Sequence, residues 1–287
     1  MKNKSFIKYI VAHLFFGANG VVASYINLNS YEIVFLRTLL GSALLIALFF
    51  LSREKISFHK NKKDLMFIGV SGVAMGLSWM FLYEAYSQIG VSIASLCYYC
   101  GPVIVMILSP FVFKEKLTKS AVLSFVLVVI GIILVNGGSV EELNHWGVIC
   151  GFAAAIMYSF MVIFNKKSKN IVGMENSMIQ LVISFITVGI FMGFKQGFAM
   201  QIDASSILPI LILGLLNTGF GCYLYFSSIG KLPVQTVAVF GYLEPVSAVI
   251  FSVIILNESI SIYQLIGAVL IIGGAITGEY LARNKQK

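Results

Sequence analysis

Apolar runs separated by short polar segments dominate this chain of 287 residues. The runs are continuous rather than one-sided stripes, so they lack the polar face of a helix in a soluble protein. Each is close to the ~20 residues that a helix needs to cross ~30 Å of hydrocarbon. Strands are unsuitable for such runs, because an open sheet edge in lipid would leave backbone groups unpaired. We therefore predict an all-α membrane protein with ten transmembrane helices. The predicted spans are residues 6–26, 33–51, 65–86, 91–113, 120–136, 146–165, 177–194, 207–229, 234–256 and 262–282.

Composition supports this class of protein. Hydrophobic residues make up 59% of the chain and charged residues only 11%, against about 25% charged residues in an ordinary soluble domain. The four cysteines all fall inside apolar runs, where a thiol behaves as a small hydrophobe. Cys97 and Cys100 form a C-x-x-C motif, but no second pair or nearby histidine completes a metal site. We predict neither a metal nor a cofactor.

Basic residues mark one side of the membrane. Counting Lys8 at the start of the first span, eighteen of the twenty lysines and arginines fall in the two tails and in alternate loops, the distribution expected of a cytoplasmic face. We expect a multi-pass protein of a cytoplasmic membrane, inner or plasma, with both termini in the cytoplasm. Residues 1–24 resemble a signal sequence, but His13 and Asn19 interrupt its apolar core, so we expect this span to be retained. The net charge of +8 therefore needs no nucleic-acid partner.

The chain contains an internal repeat. The segment from Tyr99 to Ile133 matches the segment from Tyr242 to Ile276 at a constant offset of 143 residues. Both segments begin with Tyr-x-x-Pro-Val, and thirteen residues after each proline comes a glutamate, Glu115 or Glu258. The two copies fall five spans apart, and an odd number of spans per copy forces the copies into opposite orientations.

This inverted arrangement predicts the domain organisation. The first five-helix repeat is predicted at residues 1–136, an external linker at 137–145, and the second five-helix repeat with the cytoplasmic tail at 146–287. Inverted repeats give two related arrangements of one bundle, which suits alternating access to a site near the midplane. A duplication retained only for folding is the alternative interpretation.

The two-copy motif is similar to that of a known family. Tyr99–Val103 and Tyr242–Val246 share Tyr-x-x-Pro-Val, and each is followed by the glutamate and by an apolar run with glycine. This pattern resembles the EamA family of the drug/metabolite transporter superfamily, and Arg37 in a Phe-Leu-Arg sequence resembles the arginine in that family's second span. The second copy is the closer match. The resemblance implies two inverted five-helix repeats around a central cavity, with amino acids, other metabolites or drugs as substrates.

Ionisable residues inside the spans are candidates for the site, because a charge near the bilayer centre is costly and usually faces a cavity or a partner. Glu244 ranks first. It precedes Pro245, whose missing N–H leaves the carbonyl of Gly241 without its helical partner, and Pro102 does the same for Tyr98 in the fourth span. A carboxylate beside such a loosened helix is a ligand for a cation or an amine, or a proton-coupling group. A structural role, as the partner of an arginine, is the alternative.

Glu84, near the outer end of the third span, is the second candidate acid. Trp79, Tyr83 and Tyr86 follow one face of the same helix. Such a stripe serves packing or an interfacial belt, or beside a glutamate it binds a cation by cation–π attraction worth ~0.5–2 kcal/mol. Arg37 is predicted to be a structural ion-pair donor rather than a carboxylate clamp. The remaining predicted substrate contacts are Tyr98, Tyr99, Tyr223, Tyr242, His13 and Asn19.

We predict a secondary transporter that moves a small metabolite across the cytoplasmic membrane by alternating access. An amino acid, an amine or a related polar or amphipathic solute is the expected substrate. The expected partners are that solute, the lipid bilayer and, as a further candidate, a coupling proton. No Walker A motif is found, so transport by ATP hydrolysis is not expected.

Two alternatives remain open. The G-x-S-G sequence of residues 69–72 would allow an intramembrane serine hydrolase with Ser71 as nucleophile and His13 as base. We nevertheless predict that the chain is not an enzyme, because no catalytic set is assembled. A non-transporting membrane scaffold is the other alternative. Two small-xxx-small motifs, Gly72–Gly76 and Gly274–Gly278, allow close helix approach within the bundle or in a dimer, so the oligomeric state stays open.

Overall fold

The computed structural model describes residues 2–53, 56–114, 119–136, 144–257 and 261–284, and every regular element in these ranges is helical. The elements are α1 (Lys2–Gly17), α2 (Asn19–Ala23), α3 (Ser30–Leu51), α4 (Lys62–Tyr98), α5 (Gly101–Phe113), α6 (Lys119–Asn136), α7 (His145–Lys167), α8 (Gly173–Lys195), α9 (Ala204–Leu211), a π-helical segment (Ile212–Phe220), α10 (Gly221–Ile229), α11 (Val234–Phe240), α12 (Leu243–Leu256) and α13 (Ile262–Asn284). The predicted all-α architecture is confirmed. The repeat glutamates Glu115 and Glu258 lie outside the described residues.

Seven stretches of the described chain are long and apolar enough to cross a membrane. They are Asn3–Ala23, Ser30–Leu51, Lys62–Ile89, His145–Lys167, Gly173–Lys195, Ala204–Ile229 and Val234–Leu256. Two further apolar helical stretches, Gly101–Phe113 and Leu265–Gly274, are shorter. The chain is therefore a multi-pass membrane protein, whereas the count of ten spans stays a prediction.

Helix α4 differs from its prediction. The sequence predicts separate spans at 65–86 and 91–113, but α4 continues from Lys62 to Tyr98 and the chain breaks at residues 99–100. Gly90 alone does not end the helix, because a glycine costs only about 1 kcal/mol relative to alanine. No proline occurs in α4 to remove a helical hydrogen bond. The break instead precedes the proline that begins α5.

The two prolines of the repeat lie at helix starts. Pro102 is in the first turn of α5, and Pro245 is the third residue of α12. A missing N–H costs little there, because the first N–H groups of a helix have no intrahelical acceptor. The carbonyl of Gly241 accepts a hydrogen bond from the N–H of Glu244 at 3.3 Å. The prediction that Pro245 leaves this carbonyl unpaired is therefore wrong.

Helix boundaries repeat at the same offset of 143 residues as the sequence motif. Helix α3 begins at Ser30 and α8 at Gly173. Helices in equivalent positions also pack on each other, α3 on α8 and α6 on α13. The hydroxyl of Tyr242 donates a hydrogen bond to the carbonyl of its equivalent, Tyr99, at 2.8 Å. Contacts of this kind are expected around an internal two-fold axis. The opposite orientation of the repeats and the division at 137–145 stay predictions.

Small residues bring α4 against α8. A Cβ at Gly72 would lie 2.9 Å from the carbonyl oxygen of Gln180, and a Cβ at Gly76 would lie 2.9 Å from that of Ser184. This small-xxx-small motif therefore packs within the bundle, which settles for this motif the choice that the sequence left open. The second motif reaches Gly278, beyond the residues whose surroundings the structure describes.

We expect Gly72→Ala and Gly69→Ala to change stability in opposite directions. A Cβ at Gly69 meets no atom within 4 Å, so alanine there gains helix propensity of up to about 1 kcal/mol. The added methyl at residue 72 pushes against the backbone of α8 and costs roughly 1–3 kcal/mol. Thermal unfolding of the two variants in detergent checks this, and equal midpoints would contradict the packing described.

Candidate substrate cavity

A cavity of about 480 Å³ lies inside the helix bundle. Its walls come from both halves of the chain, namely α1 to α4 and the residues just after α4 in the first half, and α7, α10 and α12 in the second. Among the described lining residues are one carboxylate, one guanidinium and one imidazole, those of Glu244, Arg37 and His13. The cavity thus combines an apolar environment with two opposite charges, which is the usual composition of a site for a small organic solute.

Glu244 and His13 face each other across α12 and α1. The Nδ1 atom of His13 lies 3.7 Å from the nearer carboxylate oxygen of Glu244. The imidazole is 97% buried, whereas the Glu244 side chain is 28% exposed and lines the cavity. Both ring nitrogens of His13 lack a hydrogen bond with the described residues. The carboxylate therefore has the imidazole on one side and the cavity on the other.

The backbone holds these two side chains together. The hydroxyl of Ser247 contacts the carbonyl oxygens of His13, at 3.3 Å, and of Glu244, at 2.9 Å. Gly17 allows α12 to approach α1, because any Cβ at that position would overlap the Ser247 hydroxyl. The ring of Tyr9 packs edge-on against His13, with centroids 4.5 Å apart, and its hydroxyl donates to the carbonyl of Val237 at 2.7 Å. The imidazole is consequently fixed in position.

Arg37 is the cationic residue of the cavity. Its Nε donates to the hydroxyl of Thr218 at 2.8 Å, and its guanidinium carbon lies 4.8 Å from the centre of the Trp79 ring. Arg37 forms no ion pair with any described carboxylate, so the prediction of a structural ion pair is not supported. A hydroxyl and an aromatic face hold the side chain without neutralising it. Its charge stays available to an anionic group in the cavity.

The partner of Arg37 belongs to the π-helical segment. Thr218 donates to the carbonyl of Leu213, five residues earlier, at 2.7 Å. Segments of π-helix within α-helices frequently occur at functional sites, and here the irregular turn directs a hydroxyl at a buried cation. The sequence offers no signal for this segment.

The aromatic stripe of α4 lines the cavity. Trp79, Tyr83 and Tyr86 all contribute to the wall, together with Tyr98 and Tyr99 at the end of the helix. The predicted polar contact Asn19 lines the cavity as well, and its side-chain oxygen accepts a hydrogen bond from Asn217 at 3.2 Å. The structure thus brings together His13, Asn19, Trp79, Tyr83, Tyr98, Tyr99 and Glu244 from the predicted set.

Glu84 lies outside the described lining of this cavity. It is 6% exposed, and its carboxylate contacts the Lys195 ammonium at 3.2 Å. The indole N–H of Trp146 and the amide of Gln88 each donate to it at 3.3 Å, and the hydroxyl of Tyr31 donates as well. A carboxylate with this many partners has little capacity left for a solute. The predicted substrate contact at Glu84 is therefore not supported.

Two predicted tyrosines are also absent from the described lining. Tyr242 is fully buried, and its hydroxyl donates to the carbonyl of Tyr99. The ring of Tyr223 lies 4.8 Å from the ammonium of Lys8. Tyr223 was proposed only as an intramembrane tyrosine and Tyr242 also as part of the repeat motif, but neither signal shows on which side of its helix the ring lies.

Sequence reasoning missed two cavity tyrosines, Tyr158 of α7 and Tyr225 of α10. The repeat contained a partial signal for the wall of α10. Residues 82 and 83 occupy the positions equivalent to 225 and 226, and all four line the cavity. Applying the offset of 143 residues to Tyr83 would have identified residue 226, whereas Tyr225 itself is equivalent to residue 82, outside the aromatic stripe.

The arrangement required by the hydrolase alternative is not found in the described residues. The hydroxyl of Ser71 is fully buried and donates to the carbonyl of Met161 at 2.7 Å, while the imidazole of His13 lies against Glu244. A serine nucleophile needs a base within hydrogen-bond reach. Within the same part of the chain, no three His, Cys, Asp or Glu side chains are grouped as metal ligands would be.

Fold and cavity define a multi-pass helical membrane protein whose bundle contains a largely apolar pocket with a few charged and polar side chains. The chain belongs to the EamA-like transporter family, which matches residues 4–137 and again residues 145–277. The predicted family is thereby confirmed, and by family this is a membrane transporter. A solved crystal structure has a TM-score of 0.84 to this fold at 17% identity and covers 96% of this chain and 98% of its own.

Curated relatives agree with this class. The chain is 26% identical over 283 residues to the uncharacterized transporter YxxF of Bacillus subtilis, a match covering 95% of this chain and 88% of the relative. It is 25% identical over 246 residues to a probable amino-acid metabolite efflux pump of Salmonella typhimurium, covering 79% of each chain.

We expect Lys195→Met to lower the stability of the protein by roughly 1–3 kcal/mol, because it leaves the buried Glu84 carboxylate without its cation. The double variant Glu84→Gln, Lys195→Met should recover much of this loss, since the pair is then removed together. Thermal unfolding of the single and double variants measures the coupling. Purely additive effects would show that the 3.2 Å contact contributes nothing.

Proposed function

We propose that this protein is a secondary transporter that moves a small polar or amphipathic metabolite across the cytoplasmic membrane by alternating access. An amino acid, an amine or a closely related solute is the proposed substrate. The observation that carries the proposal is a difference between equivalent parts of the bundle. The part around Gly20 and Tyr86, here called the open half, lines a cavity. The part around their equivalents Ile163 and Ile229, here called the closed half, is packed shut.

The comparison of equivalent residues supports this description. Gly20 and Tyr86 line the cavity, whereas their equivalents at the offset of 143 residues, Ile163 and Ile229, are buried in the core. Near the centre the equivalents behave alike, since Trp79 and residue 222 both line the cavity. Exchanging the conformations of the two repeats would close the open half and open the closed one. Alternating access in inverted-repeat transporters works in this way.

The charges of the cavity support the substrate class. Glu244 has an open side toward the cavity, surrounded by aromatic rings that favour a cation. Arg37 presents an unneutralised guanidinium, which suits a carboxylate. A solute with both groups, or an amine alone, fits this distribution. The Salmonella typhimurium relative named a probable amino-acid metabolite efflux pump is consistent with it.

His13 supports a role for a proton. A protonated imidazole would pair with Glu244, and a cationic solute would compete for the same carboxylate. Binding of one partner therefore weakens binding of the other, which is the basis of exchange between a proton and a solute. The imidazole is almost fully buried and lines the cavity beside Glu244.

Solute binding should change the fluorescence of Trp79, one of only two tryptophans in the chain. The variant Trp146→Phe leaves Trp79 as the sole indole, and its emission is expected to shift with the compounds of an amino-acid and amine panel that raise the thermal unfolding midpoint. The matched variant Trp79→Phe should show no shift. A shift only in the latter would place binding outside the cavity.

Glu244→Gln should reduce flux of the compounds identified in that screen. Loss of a charged hydrogen-bond acceptor costs about 1.5–3 kcal/mol, or roughly ten- to hundredfold in affinity. Uptake into proteoliposomes across a pH gradient measures it, with Asp203→Asn, an exposed loop acid, as the isosteric control. Flux at the wild-type level in folded Glu244→Gln protein would remove this carboxylate from the mechanism.

A further inference from the structure

Lys166 lies in the last turn of α7, in the closed half of the bundle. Its ammonium donates hydrogen bonds to the carbonyl of Ile229 at 3.2 Å and to the carbonyl of Leu232. These carbonyls belong to the end of α10 and to the turn that leads into α11. A cation is well placed there, because the last carbonyls of a helix lack intrahelical donors and carry partial negative charge. Lys166 thus ties α7 to the α10–α11 connection.

The open half lacks this tie. The residue equivalent to Lys166 is Ala23, and the residues equivalent to Ile229 and Leu232 are Tyr86 and residue 89. Ala23 and Tyr86 both line the cavity. A methyl group cannot reach a carbonyl on the opposite wall. The two halves therefore differ at this position by a side chain that can bridge the walls and one that cannot.

Behind Lys166 the closed half contains polar side chains. The amide of Asn165 donates to the side chains of Asn176 at 3.0 Å and of Gln180 at 3.1 Å, and Asn176 donates back at 3.1 Å. All three residues are at most 4% exposed. Polar groups buried in a membrane bundle are costly unless paired, and they usually face a cavity or pathway. Here they pair with one another.

The equivalents of these amides reveal the face on which they lie. Ile33 and Arg37 are equivalent to Asn176 and Gln180, and both line the open cavity on α3. The same face of α8 is therefore a polar wall that is closed in the present conformation. Its amides can exchange their mutual hydrogen bonds for bonds with water or solute.

We propose that Lys166 is the latch of the closed half, and that its release exposes the Asn176–Gln180 wall of α8 to the cytoplasmic side as the second solute-contacting surface. This inference rests on the proposed alternating access. The predicted orientation places Lys166 at the cytoplasmic end of its span. The latch acts on the equilibrium between the two conformations, and its loss shifts that equilibrium without removing a contact to solute in the open half.

Cysteine accessibility tests the latch without knowledge of the substrate. In a variant with all four native cysteines replaced, single cysteines are placed at Gly20, where a Cβ meets no atom within 4 Å, and at its buried equivalent Ile163. A membrane-impermeant maleimide is applied to intact cells and to inverted vesicles. With Lys166 present, we expect labelling of Gly20→Cys in cells and protection of Ile163→Cys in vesicles.

Lys166→Ala gives the closed half the side chain of the open half. It should raise labelling of Ile163→Cys in inverted vesicles several-fold and lower labelling of Gly20→Cys in cells. Lys169→Ala, which removes an exposed charge from the same loop, should change neither. The reciprocal variant Ala23→Lys should lower labelling of Gly20→Cys, and it decides the test alone if Lys166→Ala does not yield folded protein by size-exclusion chromatography.

Two outcomes would overturn the latch. If Lys166→Ala labels at Ile163→Cys no more than Lys169→Ala does, Lys166 does not hold this half closed. Labelling that rises at both reporters would show a loosened bundle instead of a reciprocal exchange. If either result occurs while flux in the proteoliposome assay is normal, the latch is rejected and the proposed transport is kept. If flux is absent and labelling shows no reciprocal change, both the latch and the proposed transport are rejected.

Discussion

A charge inside a membrane must be paired or must reach water, and this constraint divides the ionisable residues of the bundle into two groups. Glu84 is satisfied by protein alone, with an ammonium, an indole, an amide and a hydroxyl around one carboxylate. Glu244 and Arg37 are held in place but not neutralised, the first by a histidine whose charge depends on a proton and the second by a hydroxyl and an indole face. Their unsatisfied sides need water or a solute as a partner, and both side chains line the cavity.

The backbone is irregular in three regions that contribute to the cavity or to the residues that line it. The chain breaks before Pro102 and again before Pro245, and the two breaks meet where Tyr242 bonds to Tyr99. The π-helical segment adds a third irregular region, from which Thr218 reaches Arg37. Non-helical backbone is tolerated at membrane depth only where it is buried in protein or lines a water-filled cavity. The irregular backbone and the cavity therefore depend on each other.

The sequence predicted the helical membrane class and the family because both depend on patterns that can be recognised in the sequence alone. Runs of apolar residues report burial in lipid, and the spacing of tyrosine, proline and glutamate reports the repeat. The lining of the candidate cavity was predicted in part. Glu244 was identified by its neighbouring proline and by its depth, although the carbonyl of Gly241 proved to be paired. The sequence did not indicate that Glu84 is paired within the protein. Its partners Tyr31, Trp146 and Lys195 lie on three other helices, and one sequence does not show how these helices pack together.

The two poles of the cavity come from different repeats, and their equivalents are not charged. Arg37 belongs to the first copy and is replaced by Gln180 in the second, while Glu244 belongs to the second and is replaced by Gly101 in the first. A nearly symmetric scaffold therefore carries an asymmetric site. If the proposed alternating access moves the repeats relative to each other, the distance between the two charges changes with them. A solute that contacts both poles then binds the two conformations with different free energies, and only such a difference lets binding bias a conformational equilibrium.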